Sequence, residues 1–300
     1  MAIEVLIGRD AVPIDDTLFT TLLDSSVAGT YKGYERALES GRIKYAELVE
    51  LARTGEIPRS LFFAPLSLVQ RQVKTKTEKL LAGVSRDTFS IGSRSKVDLR
   101  DVELMVKDLI RKQQLVRKHD PSLQRNSIVG LLRDDTSAVE ADAARLMSAI
   151  GLSNEELRSC RTKTKTLDLI IVRLEANQVL VSRSVQHYVP QRLTHVEFSG
   201  MTIRDNKVPY IFLAGGDHGD DQEPVGRTIF TLALMTVLVA RRIFAPMTWD
   251  GGSAETDPGR EYDIAGAMLM PTNRMKELRP TSLADMKAAV DEFKVTASAV

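Results

Sequence analysis

The chain has 300 residues, 43% of them hydrophobic and 27% charged, with 41 Lys plus Arg against 40 Asp plus Glu. That apolar share can bury a core, which excludes wholesale disorder, and a net charge of +1 excludes a polybasic nucleic-acid coat or an acidic tail protein. The one cysteine, Cys160, excludes an internal disulfide and any cysteine-built cluster; among His119, His187, His195 and His218 no two lie three or four residues apart, so no helix offers a histidine pair to a metal.

Met1 to Val12 carries one positive charge, Arg9, after a short apolar run and then turns acidic, which does not read as a secretory leader. Residues 17–54 read as helical: Leu18, Phe19, Leu22 and Leu23, then Tyr34 and Leu38, then Ile43, Leu48, Leu51 and Ala52 recur at helical spacing, with Gly41 separating short helices. Pro58 opens a new element, and Leu61, Phe62 and Phe63 form an apolar anchor before Pro65. Residues 67–82 are amphipathic, with Arg71, Lys74, Lys76 and Lys79 on the polar side. The stretch from Gly83 to Lys96, rich in Ser and Gly, reads as a linker.

A long helix is expected over 99–118, on the spacing of Val102, Met105, Val106, Leu109 and Ile110. Another is expected over 138–150, opened by a Ser137/Glu140 capping box and stopped by Gly151; Ser153 and Glu156 repeat the device. Residues 167–175 read as helix. The period then changes, and 179–182, 194–198 and 208–213 read as strands. A polar, acidic loop is expected from Gly215 to Pro224. The longest apolar run, Ile229 to Ala240, is broken only by Thr231 and Thr236 and is followed by Arg241 and Arg242. It falls well short of the roughly 20 residues a bilayer needs and reads as a buried helix within 228–242. After a Gly-rich loop around Trp249 to Gly252, helices are expected over 260–269, ending at Met270-Pro271, and over 283–293, capped by Ser282 and Asp285.

Two groups of motifs resemble a known family. The string Phe230-Thr231-Leu232-Ala233-Leu234-Met235-Thr236-Val237-Leu238 is similar to the F-T-L-A-H-E-x-G-H helix of ImmA/IrrE-type zinc-peptidase-like proteins. The run from Arg260 to Pro271, ending Met268-Leu269-Met270-Pro271, resembles that family's second helix, E-x-E-A-N-x-F-A-A-x-L-L-M-P. The upstream strands, Val179-Leu-Val, Val196-Glu-Phe-Ser-Gly and Pro209-Tyr-Ile-Phe-Leu, follow in the family's order. Toward the N-terminus, Leu38-Glu39-Ser40-Gly41, Leu48-Val-Glu-Leu51-Ala52, Pro58 and Phe62-Phe63 resemble the degenerate XRE-type helix-turn-helix region often fused to that domain, and Asp98-Leu99-Arg100 matches its D-x-R.

The departure from the family pattern carries the functional reading. H-E-x-x-H works because positions i and i+4 share a helix face, so two imidazoles meet one zinc ion while the Glu serves as general base. Here those positions are Leu234, Met235 and Leu238, none of which can ligate zinc or take a proton. The family's third ligand aligns with Arg260, and Glu261, one residue on, is rotated by about 100° around a helix. The resemblance therefore implies a catalytically inactive pseudo-metallopeptidase without metal or other cofactor. It also implies a regulator in phage, mobile-element, toxin–antitoxin or stress-linked gene control; the start of the chain and the shortness of its longest apolar run make the cytoplasm the expected location. Such a chain acts by binding a protein partner such as a repressor, toxin or antitoxin, with a groove between the two former ligand helices as the docking place.

Other strings admit plainer roles. Asp217, His218, Asp220 and Asp221 could hold a cation, but the glycines around them suit a solvated loop and the register is not that of a calcium loop. His187 and His195 flank an expected hairpin and suit partly buried structural roles. Cys160 lies among Arg158, Arg161, Lys163 and Lys165, cations that favour a thiolate, though an ordinary thiol is the simpler reading. Those four cations, with Arg42 and Lys44 in the helix-turn-helix-like region, are the candidate nucleic-acid contacts. Aromatics for base stacking are absent near the Arg158 to Lys165 run, and Glu39, Glu47 and Glu50 oppose Arg42 and Lys44, so strong sequence-specific DNA binding is not expected of a single copy, and a homo-oligomer or partner would have to supply the rest. A DNA-binding regulator, and a peptidase with a metal site relocated to His218, Asp220 and Glu261, are the alternatives.

The expected fold is α+β, in three parts: a helical, helix-turn-helix-like region over 1–85, a helical connector over 86–150, and a zincin-like domain over 151–300 with a small sheet packed on helices. No membrane association is expected.

Overall fold

A computed structural model describes residues 2–81, 99–133, 137–185, 198–217, 224–244, 246–248 and 259–299. The described residues group into two compact units: 2–81 with 99–112, and 113–299.

The first unit departs from the helical expectation at its start. Ile3 and Val5 are buried while Ala2 and Leu6 face outward, a period-two alternation that builds strand β1 (Ala2–Ile7). Gly8, at φ +64°, turns the chain into β2 (Asp10–Asp15), paired antiparallel with Val5 opposite Val12. The Asp15 carboxylate accepts from the Leu18 N–H and opens α1 (Asp16–Asp24). A 3₁₀ turn, Val27–Thr30, leads to α2 (Lys32–Ser40), which Gly41 ends at φ +65°. The chain then enters β3 (Arg42–Lys44), parallel to β1 with Ile43 beside Val5, and so completes a sheet of order β2-β1-β3. Helices α3 (Tyr45–Thr54), α4 (Leu66–Leu81) and α5 (Leu99–His119) follow. Phe19 centres the core, its ring 5.7 Å from Tyr34 and 6.2 Å from Phe62, while Phe63 of the expected anchor is 53% exposed. The expected linker at 83–96 lies outside the described residues.

In the second unit, α6 (Val139–Ile150) begins at Ala138 without a side-chain cap, so the Ser137/Glu140 box does not form. The Glu140 carboxylate instead accepts from the Thr272 hydroxyl. Gly151 ends the helix at φ +66° as expected. The Ser153/Glu156 box does form, on α7 (Asn154–Ser159), and Thr162 caps α8 (Lys163–Ala176).

A four-stranded sheet comes next: β4 (Leu180–Val185), β5 (Phe198–Ile203) and β6 (Tyr210–Asp217). The strand expected over 194–198 thus starts, among described residues, at its last member, and Gly215 to Asp217 belong to a strand rather than to a loop. Helix α9 (Val225–Arg241) and β7 (Pro246–Thr248) complete the sheet unit, in the order β4-β6-β5-β7 with β4 parallel to β6 and the other pairs antiparallel. Then come α10 (Arg260–Leu269), an unexpected short α11 (Thr272–Leu278), and α12 (Leu283–Phe293) with the expected Ser282/Asp285 box. The architecture is mixed α+β.

Every residue from Thr231 to Ala240 is buried. Helix α9 packs on β5 and β6, on α8 and on α10, so it has no face left for water and its sequence is apolar all round. Gly200 makes room for it: a Cβ there would lie 2.4 Å from the Phe212 carbonyl oxygen and 3.3 Å from Met235 Cε. No described helix is long and apolar enough to cross a membrane.

Candidate functional site

The positions singled out on α9 and α10 come together in the second unit. On α9, Phe230, Leu234, Leu238 and Arg241 are spaced so that they share one helix face. On α10, the Tyr262 ring lies tilted by 38° against Phe230 with ring centroids 6.0 Å apart, and the Glu261 carboxylate lies 2.8 Å from Arg241 Nε. These two adjacent residues reach both ends of the stripe, so the first turn of α10 lies over the segment that holds Leu234 and Leu238. Met235 points the other way, toward Gly200 and the sheet.

The chemistry at these positions is hydrocarbon and closed ion pairs. Leu234 is 3% exposed, Met235 0% and Leu238 5%. Ile264, Ala265, Met268 and Leu269 of α10 pack into the same core, so the open groove expected between the two helices is filled. Arg260 turns away from α9 toward α6: its Nη2 lies 2.6 Å from Asp142 Oδ2 and also donates to the Ser137 carbonyl. Asp142 is fully buried, and its other oxygen takes Arg145 at 2.9 Å. Glu261 is engaged by Arg241 at the last turn of α9.

Asp142 and Arg241 were not singled out from the sequence. A signal existed for the first: Asp142 is in register with Leu146 and Ile150 on the apolar stripe of α6, where a carboxylate demands a buried cation. Arg241 sits about one turn beyond Leu238, outside the aligned string Phe230 to Leu238.

The other candidates are scattered. Arg42 pairs with Glu4 across the first sheet at 2.8 Å, and Lys44 is exposed at the start of α3. Arg158 faces Glu155 at 3.4 Å, Lys163 Nζ donates to the Val295 carbonyl at 2.7 Å, and Arg161 and Lys165 are exposed. Cys160 is half-buried and its thiol lies 3.4 Å from the Glu156 carbonyl oxygen. Glu156 itself is held below the ordinary carboxylate range by the Ser153 N–H and then by the Arg173 guanidinium. His187, His195, His218, Asp220 and Asp221 lie outside the described residues, and Asp217 ends β6. Among the described residues, no group of three or more His, Cys, Asp or Glu is placed to hold a metal ion.

No protein-family model, curated protein or solved structure matches the chain.

Proposed function

We propose that this chain is a non-catalytic regulator of the ImmA/IrrE-like type, a pseudo-metallopeptidase with a zincin-like second unit that acts by binding a protein partner. One observation carries the reading. The first turn of α10 lies over the stretch of α9 that holds Leu234 and Leu238, the arrangement an H-E-x-x-H helix and its third ligand require, and every position that would bear a ligand or base carries hydrocarbon or is held in an ion pair. The order of strands β4, β5 and β6 before α9 supports the same reading.

A zinc peptidase needs deprotonable ligands, a base within reach of the bound water and an open coordination position. At these positions the chain offers none of them, so its effect must come from affinity. The partner class is a repressor, toxin or antitoxin, which is the class the resemblance implies. Because the stretch between α9 and α10 is packed shut, the partner docks on other surface.

Elemental analysis of the purified chain tests the reading, together with recovery of its complex from the native host. The expected result is substoichiometric zinc and a complex with an identified repressor, toxin or antitoxin that survives chelation. Stoichiometric zinc, or chelator-sensitive cleavage of a repressor by the pure chain, overturns it.

A further inference from the structure

Helix α12 is lightly held to the second unit. Its buried residues are Ala289 and Phe293, and Leu283, at the outer end of the stripe that Met286, Val290 and Phe293 continue, is 74% exposed. The segment after the helix adds one more anchor, the fully buried Val295, before a 3₁₀ turn, Ala297–Ala299. Ala289, Phe293 and Val295 enter the same core as α9. Among the described residues, two polar ties join this stretch to the rest of the unit. Arg274 of α11 donates to both oxygens of Glu292, at 2.8 and 3.2 Å, and Lys163 at the start of α8 donates to the Val295 carbonyl at 2.7 Å.

The ends of α12 need nothing from outside. The Ser282/Asp285 box is complete within itself, and the Asp285 carboxylate also accepts from the Thr281 N–H. At the other end Lys294 turns the chain at φ +62°, and its ammonium donates to the Asp291 carbonyl at 2.6 Å. A helix whose end groups are met locally loses none of those hydrogen bonds when it moves away as a body. The joint before it starts at Arg279, whose φ of +38° is costly for a residue with a side chain, so release there relieves strain. One contact is close. Gly226, in the first turn of α9, has no Cβ, and a Cβ there would lie 2.6 Å from the Val295 carbonyl carbon and 2.7 Å from its oxygen. A methyl group at that position would push the segment off its seat.

We propose that the stretch from Leu283 to Ala299 is a detachable strap, which opens as one body while the rest of the second unit stays folded, and that the protein partner docks on the seat beneath it with an amphipathic helix that takes the strap's place. The inference rests on the reading of this chain as a protein-binding regulator. The chemistry of the occupant is that of the strap: a small residue in the place of Ala289, a carboxylate three positions on to meet Arg274, an aromatic ring at the next position, and an apolar residue two further on in the place of Val295. Buried aromatic anchors carry most of the affinity of such helix-in-groove interfaces, and a ligand that takes the open state draws the population toward it.

Hydrogen exchange of the full chain, read by mass spectrometry, tests the opening. Amides of the strap should exchange at least about a hundredfold faster than those of α9, whose residues from Thr231 to Ala240 are all buried. Gly226→Ala should speed exchange in the strap by about tenfold, while α9, where Ala suits a helix better than Gly, keeps its protection. A fluorescently labelled synthetic peptide of residues 281–299 tests the seat. It should bind the full chain, and bind about tenfold more tightly when Glu292→Gln in the chain weakens the resident strap's charge-assisted hydrogen bonds. The same peptide carrying Phe293→Ala should not bind; because that change is made in the peptide, the fold of the chain is untouched. Strap amides as slow as those of α9, or equal binding of the two peptides, overturns the proposal. A partner recovered from the native host that displaces the peptide supports it. A partner that leaves the peptide bound overturns it and leaves the reading of a protein-binding regulator standing.

Discussion

Asp142 is fully buried between two arginines, one from its own helix and one from α10. Its removal takes from the Arg260 guanidinium the carboxylate that lies 2.6 Å away. Breaking a buried ion pair by deleting one partner costs about 3–5 kcal/mol, because the other charge stays behind. Arg260 is 25% exposed and Arg145 44%, so water recovers part of that loss and the low end applies. Asp142→Ala should therefore lower the stability of the second unit by about 3 kcal/mol in urea unfolding followed by circular dichroism. A change below about 1 kcal/mol, the scale of an exposed pair, would mean the network does not hold α6 to α10. This residue also marks where sequence reading stops. The hydrocarbon at Leu234, Met235 and Leu238 is legible from the chain alone, but Arg260 meets its carboxylate 118 residues earlier, and no local spacing announces such a pair.

At the scale of elements, caps explain what was legible. The Ser153 and Ser282 boxes form because the Ser is the N-cap and the acidic residue three places on reaches back to its N–H. The similar Ser137/Glu140 pattern fails because α6 starts one residue later, after Ala138, and Glu140 serves Thr272 instead. The first hairpin carries a weak sequence signal: Ile3 and Val5 alternate with outward residues and Gly8 follows, but two buried positions are too few for a period of two to stand out. Helix α12 is tied to α11 by Glu292, which accepts from Arg274 Nε at 2.8 Å. Hydrogen bonds from Arg274 hold the Glu292 carboxyl below its ordinary 4.5. A depressed carboxylate contributes stability that is complete above the unfolded pKa and fades as pH falls through the folded value. Glu292→Gln should thus melt below the parent at neutral pH, and the gap should close as pH drops from about 5 toward 3. Thermal unfolding across that range measures it, and a gap independent of pH would assign the effect to packing.

Net charge over the whole chain is +1, and within each unit several described cations are taken up by ion pairs. Of the six cations weighed as nucleic-acid contacts, Arg42 faces Glu4, Arg158 faces Glu155 and Lys163 is bound to a backbone carbonyl. Arg42 and Lys44 belong to the first unit and the other four to the second. A protein gains salt-sensitive affinity for DNA by releasing counterions with several clustered cations. The expected gel-shift result on duplex DNA is therefore binding no tighter than the non-specific range of about 10⁻⁴–10⁻⁶ M at physiological salt. Nanomolar binding with a steep salt slope would assign the chain to the DNA-binding regulators instead. The mixed α+β class was legible from periodicity. The grouping into two units was not, because it depends on contacts that long sequence separations conceal.

The bond between Arg260 and Asp142 bears on whether a metal centre can be built between α9 and α10. Leu234→His, Met235→Glu and Leu238→His together would bury three ionisable groups in a closed interior with no metal ligand from α10 to complete the set. Supplying that ligand by Arg260→Glu would set a second carboxylate against Asp142, where like charges repel. Each of those substitutions buries charge in a packed interior, so a metal centre between α9 and α10 could be installed only at the expense of the fold that surrounds it.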